Sequence, residues 1–98
     1  MSRPILSPAA QADIDDIWDY TADNWSIEQA DRYVLQIREA CASISSDGRE
    51  GRSMTDVRQG YLKLTIGSHF IIFRLVDDVV EIIRILHQRM DIPSHLHE

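Results

Sequence analysis

The sequence predicts an α+β fold. A short N-terminal strand is followed by an antiparallel helix hairpin, which packs on one face of a mainly antiparallel sheet ending in a three-strand meander. Three observations carry this. Residues 8–44 hold two stripes of apolar side chains at steps of three and four, the helical spacing. Residues 61–86 hold three runs rich in β-branched and aromatic residues, parted by two-residue turn signals. The whole chain of 98 residues suffices for one domain, 1–98, with one core and little surplus area.

Arg3-Pro4-Ile5-Leu6 reads as the first strand, with Pro4 permitted at a strand start or edge. Ser7-Pro8 starts a helix, serine as cap and proline at the first helical position. Ala10, Ile14, Ile17, Trp18, Thr21 and Trp25 recur on one face, and Asp13, Asp16 and Asp23 take the wet side. Asn24-Trp25-Ser26 breaks the helix, and Ser26 with Gln29 forms a capping box for the second. There Ile27, Ala30, Val34, Ile37, Cys41 and Ile44 make a stripe running to Gly48. So short a turn makes the pair an antiparallel hairpin. Trp18 and Ile37 are expected in the seam between helices and sheet.

Residues 48–60 are a polar connection with three glycines and three arginines. The strands Tyr61–Ile66, His69–Val76 and Val79–Leu86 follow, joined by Gly67-Ser68 and Asp77-Asp78. The tail from Pro93 is expected to fray.

The net charge is −6, unevenly spread: residues 1–48 hold nine acids and three arginines, and residues 49–98 seven of each sign. An acidic chain is a poor general nucleic-acid binder, because phosphate neutralisation supplies most of that affinity. No direct nucleic-acid binding is expected, and a basic or mixed-charge protein partner fits better. No apolar run is long enough to span a membrane, and Met1-Ser2-Arg3-Pro4 lacks the block of a secretory signal. The lone Cys41 falls on the buried stripe as a thiol. Together these predict a cytoplasmic protein.

The two turns set a register, and opposed residues share a face. Leu62, Leu64, Ile66, Ile71, Phe73, Leu75, Val80, Ile82 and Leu86 fall on the face that the hairpin covers. The other face holds Phe70, Ile72, Ile83 and Ile85, rimmed by Tyr61, Lys63, Thr65, Arg74, Glu81 and His87. At about 25 cal/mol per Å², leaving that patch wet forgoes roughly several kcal/mol. With both helices already used, a partner is expected to cover it. The other reading is that the first strand and tail cover part of it.

Several groups could carry chemistry. Arg74 and Glu81 face each other, most simply as a cross-strand ion pair. Arg84 stands inside an apolar run, on the core face opposite Ile71, where an unpaired charge is costly. A structural arginine satisfied by an acid or by helix ends and a functional one are both open. His87, Arg89 and Asp91 follow the strand end, and an imidazole such as that of His87 could serve as a general base. No Ser, Cys or carboxylate partner accompanies it at diagnostic spacing. His95 and His97 near His87 and Asp91 invite a metal reading, but a frayed tail gives no fixed geometry. Arg49, Arg52 and Arg58 are either a solvated charge run or an anion- or partner-binding edge.

The order of elements, Gly51-Arg52 in the connection and the closing Arg84-Ile-Leu-His87-Gln-Arg89 resemble the ParE family of bacterial toxins, in the RelE/ParE superfamily. Residues 6–20 and 29–33 are similar to that family too. The resemblance implies the toxin of a type II toxin–antitoxin pair, held in a hetero-oligomeric complex by a ParD-like antitoxin. Members of this branch poison DNA gyrase, so the expectation is an inhibitor that is not an enzyme and needs no cofactor. Tyr61, Lys63, Phe70, Ile72, Arg74, Ile83 and Ile85 are the expected antitoxin-binding residues. Arg52, Arg58, Arg74, Arg84, His87 and Arg89 match family-typical positions, and all of these except Arg74 are candidates for target contact. The RelE branch instead cleaves ribosome-bound messenger with a basic, tyrosine-containing site. A nuclease using His87 and the arginines is the alternative, although Lys63 is the only lysine and no tyrosine follows Tyr61.

Overall fold

A computed structural model describes residues 3–96; Met1, Ser2, His97 and Glu98, and with them the His95/His97 pairing, lie outside the described residues. The chain runs β1 (Ile5–Leu6), α1 (Pro8–Asn24), α2 (Ile27–Ser43), β2 (Arg52–Ser53), β3 (Leu62–Ile66), β4 (His69–Val76), β5 (Val79–His87) and α3 (Ile92–His95). The strands form one sheet of order β1-β5-β4-β3-β2, with β1 parallel to β5 and every other pair antiparallel. Ser7 and Ser26 cap the two long helices, their Oγ atoms accepting the Ala10 and Gln29 amides at 3.0 Å. Two elements go beyond the sequence reading. Arg52–Ser53 adds a strand beside β3, and the tail folds into a helical turn where fraying was expected.

Both hairpin turns are two residues long. Asp77 and Asp78 both have positive φ, 52° and 63°, the type I′ conformation whose twist matches the strands. At the other turn Gly67 has φ 53°, and a Cβ there would lie 2.7 Å from Tyr33 Oη. Backbone and space both favour glycine here.

The predicted register holds from Val76/Val79 to Phe73/Ile82 and then breaks. Ile72 pairs with Arg84, Ile71 with Ile85 and Phe70 with Leu86, so Ile83 is an extra residue in a β-bulge. Ser7 holds it: its amide donates to the Ile82 carbonyl at 2.9 Å and its Oγ to the Ile83 carbonyl at 2.6 Å. Successive carbonyls of a regular strand point opposite ways, so one residue engaging both marks the irregularity. A one-residue slip exchanges faces. Arg84 and Leu86 therefore leave the hairpin face, and Ile85 and His87 join it, reversing the four placements expected downstream of Ile83.

Each face of the sheet has its own core. The hairpin face buries Ala10, Ile14, Ile17, Ile37, Cys41 and Ile44 against Ile71, Phe73, Val80, Ile82 and Ile85. The other face is not bare, as the sequence suggested. Met54, Tyr61, Ile72, Leu86 and Leu96 are buried there, with Phe70, Ile83 and Ile92 packed against them. The connection and the tail supply the cover. Trp18 is only half-buried and lies between the helices, its Nε1 donating to Asp31 at 2.8 Å, whereas Ile37 reaches the core as expected. Trp25, placed on the apolar stripe of α1, is 62% exposed.

Candidate functional site

A concavity of about 890 Å³ opens on the hairpin side of the sheet. Asp13, Asp16, Ile17, Tyr20 and Thr21 of α1 line one wall, and Gln29, Arg32, Tyr33 and Gln36 of α2 another. Ile85, His87, Arg89 and Met90 from the end of β5 and Ser68 and His69 from the β3–β4 turn close it. Trp25 stands at the hairpin turn, its ring 6.1 Å from that of Tyr20.

A tyrosine–histidine pair stands in its wall. Tyr33 Oη lies 2.6 Å from His69 Nδ1 and accepts the Ser68 amide at 3.1 Å. The His87 ring meets His69 edge-on at 5.2 Å, and His87 Nδ1 accepts the Arg89 amide at 3.1 Å. Burial first, then the neighbouring His87, pulls His69 down to about 4 from its ordinary 6.5, against an upward pull from Asp13. His69 is therefore neutral at neutral pH, and its Nδ1 shares a hydrogen bond with the Tyr33 hydroxyl, which also lies 3.4 Å from the Ile66 carbonyl. With an amide donating to His87 Nδ1, that nitrogen is not free to ligate a metal. Among the described residues no three His, Cys, Asp or Glu side chains group to hold an ion. Cys41 offers no nucleophile, because it is 2% exposed and burial pushes its thiol up to about 11.

The target-contact candidates do not converge. Arg52 is exposed on β2, at the sheet edge remote from β1. Arg58 and Arg84 both hold the tail: Arg58 Nη1 donates to the Leu96 carbonyl at 3.3 Å, and Arg84 Nη1 to the His95 carbonyl at 2.9 Å. Arg84 also reaches round the edge of β5, beyond the end of β1, to the Asp13 carboxylate at 2.7 Å. That hydrogen-bonded carboxylate raises the guanidinium pKa, against the opposing effect of burial. Arg84 is thus a satisfied structural arginine, and Asp13 faces the sheet instead of water. Only His87 and Arg89 reach the groove.

The expected antitoxin-binding residues stay near one another, but largely as core. Ile72 is 0% and Tyr61 3% exposed, and Ile85 has moved to the hairpin face. Lys63 Nζ sits 4.5 Å above the Phe70 ring, and Arg74 pairs with Glu81 at 2.8 Å, the cross-strand pair expected.

A family model described as ParE toxin of type II toxin-antitoxin system, parDE, matches residues 5–92. The chain belongs to the ParE toxin family. It is 41% identical over 96 residues to Toxin ParE1 of Mycobacterium tuberculosis, covering 97% of this chain and 98% of that one. To Toxin ParE1 of Caulobacter vibrioides it is 40% identical over 91 residues, covering 93% and 94%. A solved structure titled Chromosomal ParDE TA system from P. aeruginosa matches its fold with a TM-score of 0.74 at 26% identity, over 89% of this chain and 96% of that one. The ParE assignment fits the strand, hairpin and meander built above. Among the described residues no helix is long and apolar enough to cross a membrane.

Sequence reasoning missed the ParE groove. Its α1 positions 13, 16, 17 and 20 and its α2 positions 29, 32, 33 and 36 each follow the spacing of one helix face. Those faces mix charges with aromatics and read as solvated. The usable signal was Tyr20, Trp25 and Tyr33, three large aromatics close to the hairpin turn.

Proposed function

We propose that this chain is the toxin of a type II toxin–antitoxin pair, acts in the cytoplasm by inhibiting DNA gyrase without being an enzyme, and is neutralised by a ParD-like antitoxin. The observation that carries the reading is the ParE family match over residues 5–92. The acidic balance and the single lysine support a protein target over RNA. The antitoxin contact is reassigned to the helix-side groove, since the sheet face first expected to hold it is filled by Met54, Ile92 and Leu96. Tyr20, Trp25 and Met90 are 62%, 62% and 45% exposed, and side chains of this kind anchor interfaces.

The test is expression of the chain alone, followed by supercoiling and translation assays. Loss of gyrase supercoiling with ribosome-bound messenger left intact is the expected result. Rapid messenger cleavage with normal supercoiling would overturn it in favour of a nuclease.

A further inference from the structure

The fold sorts charge by layer. The two long helices hold eight acids and two arginines. At the β2–β3 edge of the sheet lies a shallow depression of about 410 Å³, lined by Glu50, Arg52, Lys63, Leu64, Thr65 and Phe70. Arg52 and Lys63 are directly opposed in the register and share the face of Ile72, away from the hairpin. Like charges so placed repel, and no carboxylate among the described residues pairs with either. Arg52 makes no ion pair or hydrogen bond there, and Lys63 has only the Phe70 ring, 4.5 Å from its Nζ. Glu50 is engaged elsewhere: its Oε1 accepts the Ser45 amide at 3.0 Å and its Oε2 lies 3.8 Å from Arg49 Nε. With the exposed Thr65 hydroxyl beside them, the two cations make a lining of donors, which suits an oxyanion.

We propose that Arg52 and Lys63 form a phosphate-binding subsite that takes the backbone of duplex DNA. The choice of DNA as the source of phosphate rests on the gyrase reading above, because a chain acting on gyrase works beside DNA. An acidic protein is the poorer fit. Protein interfaces are anchored by buried apolar side chains, and those of this face already pack with Met54, Ile92 and Leu96. Phosphate needs only charge and donors, and a forked guanidinium beside a point-charge ammonium supplies both. A phosphate between the opposed cations replaces their repulsion with two attractions. The net charge of −6 hides this edge, because the acids are concentrated in the helices on the other side of the sheet. Repulsion of that acidic layer turns the β2–β3 edge toward the duplex. Two cations give a shallow salt dependence, a log–log slope of about −2, so the contact orients the chain more than it holds it.

The probe is a fluorescein-labelled DNA duplex, titrated with the full chain at low salt and read by anisotropy. Arg52→Gln and Lys63→Gln are each expected to weaken binding about tenfold or more and to flatten the salt slope by about 1. Arg38→Gln, at an exposed position on α2, is expected to change neither. Circular dichroism confirms that the variants fold. A wild type that leaves the anisotropy unchanged at low salt overturns the proposal. So does an Arg38→Gln loss as large as that of Arg52→Gln, which would mark diffuse attraction without a site. Tighter binding of polyglutamate than of the duplex would assign the edge to an acidic protein, and tighter binding of single-stranded RNA would assign it to a nuclease; either result overturns the DNA subsite. Supercoiling assays on the same proteins separate this from the functional reading. Gyrase inhibition without duplex binding sinks the subsite alone, whereas duplex binding that needs Arg52 and Lys63, with supercoiling normal, keeps the subsite and sinks the gyrase reading.

Discussion

Arg84 grips Asp13 with two hydrogen bonds, Nε to Oδ2 at 2.7 Å and Nη2 to Oδ1 at 2.8 Å, and the same carboxylate accepts the Ile85 amide at 2.9 Å. One side chain of α1 thus neutralises an arginine and satisfies the free edge of β5 where β1 has ended. With the side chains 12% and 21% exposed, neither charge is left fully in water. Asp13→Ala strands the guanidinium and the amide together and is expected to cost about 3 kcal/mol. Arg84→Met in the same background should recover part of that loss. Urea unfolding of the two single variants and the double variant measures the coupling, and additive losses would refute it.

Asp77 and Asp78 both occupy the left-handed region, which suits aspartate only tolerably. Asp78→Gly relieves the second position of the type I′ turn and is expected to stabilise the chain by about 0.5–1 kcal/mol. A fall in the urea midpoint would show that the side chain is needed at the turn.

Most of the fold was legible because local chemistry and periodicity agreed. Ser7-Pro8, Ser26, Gly67 and Asp77-Asp78 each mark a boundary that the structure keeps. The bulge was not legible. No glycine or proline marks Ile83, and its cause is Ser7, far away in sequence, engaging two successive carbonyls. One hint was present: an arginine falling out of phase within Ile82-Ile83-Arg84-Ile85-Leu86. That single slip moved Ile85 and Leu86 to opposite cores and put Arg84, left open between a structural and a functional role, within reach of Asp13. The cover over the second face was hidden for another reason. Met54, Ile92 and Leu96 are isolated apolar residues in polar segments, and only tertiary packing gives them a common destination.

His69 carries a pH-dependence with a definite sign. Its folded pKa of about 4 lies below the ordinary 6.5, so between those values the unfolded chain binds more protons. Stability from this group is complete above pH 6.5 and is lost as pH falls toward 4. His69→Gln should flatten the stability profile in that window relative to wild type, read from thermal midpoints. An unchanged slope would place the pH-dependence elsewhere.

The second core decides whether the far face of the sheet belongs to the chain or to a partner. Leu86 is 1% exposed and packs with Ile72, Met54 and Leu96. Leu86→Ala in the isolated chain is therefore expected to cost about 2–5 kcal/mol, the range for a fully buried leucine. Ile72→Asp, which places a carboxylate in the same dry layer, should prevent folding altogether. Leu96→Ala is the sharper test, because it removes tail cover without touching the sheet. It should destabilise the free chain by about 1–3 kcal/mol and increase dye binding to newly exposed apolar surface. If Leu96→Ala and Leu86→Ala both leave the isolated chain as stable as wild type, while weakening its complex with the ParD-like antitoxin, the face is an interface and the tail only rests on it.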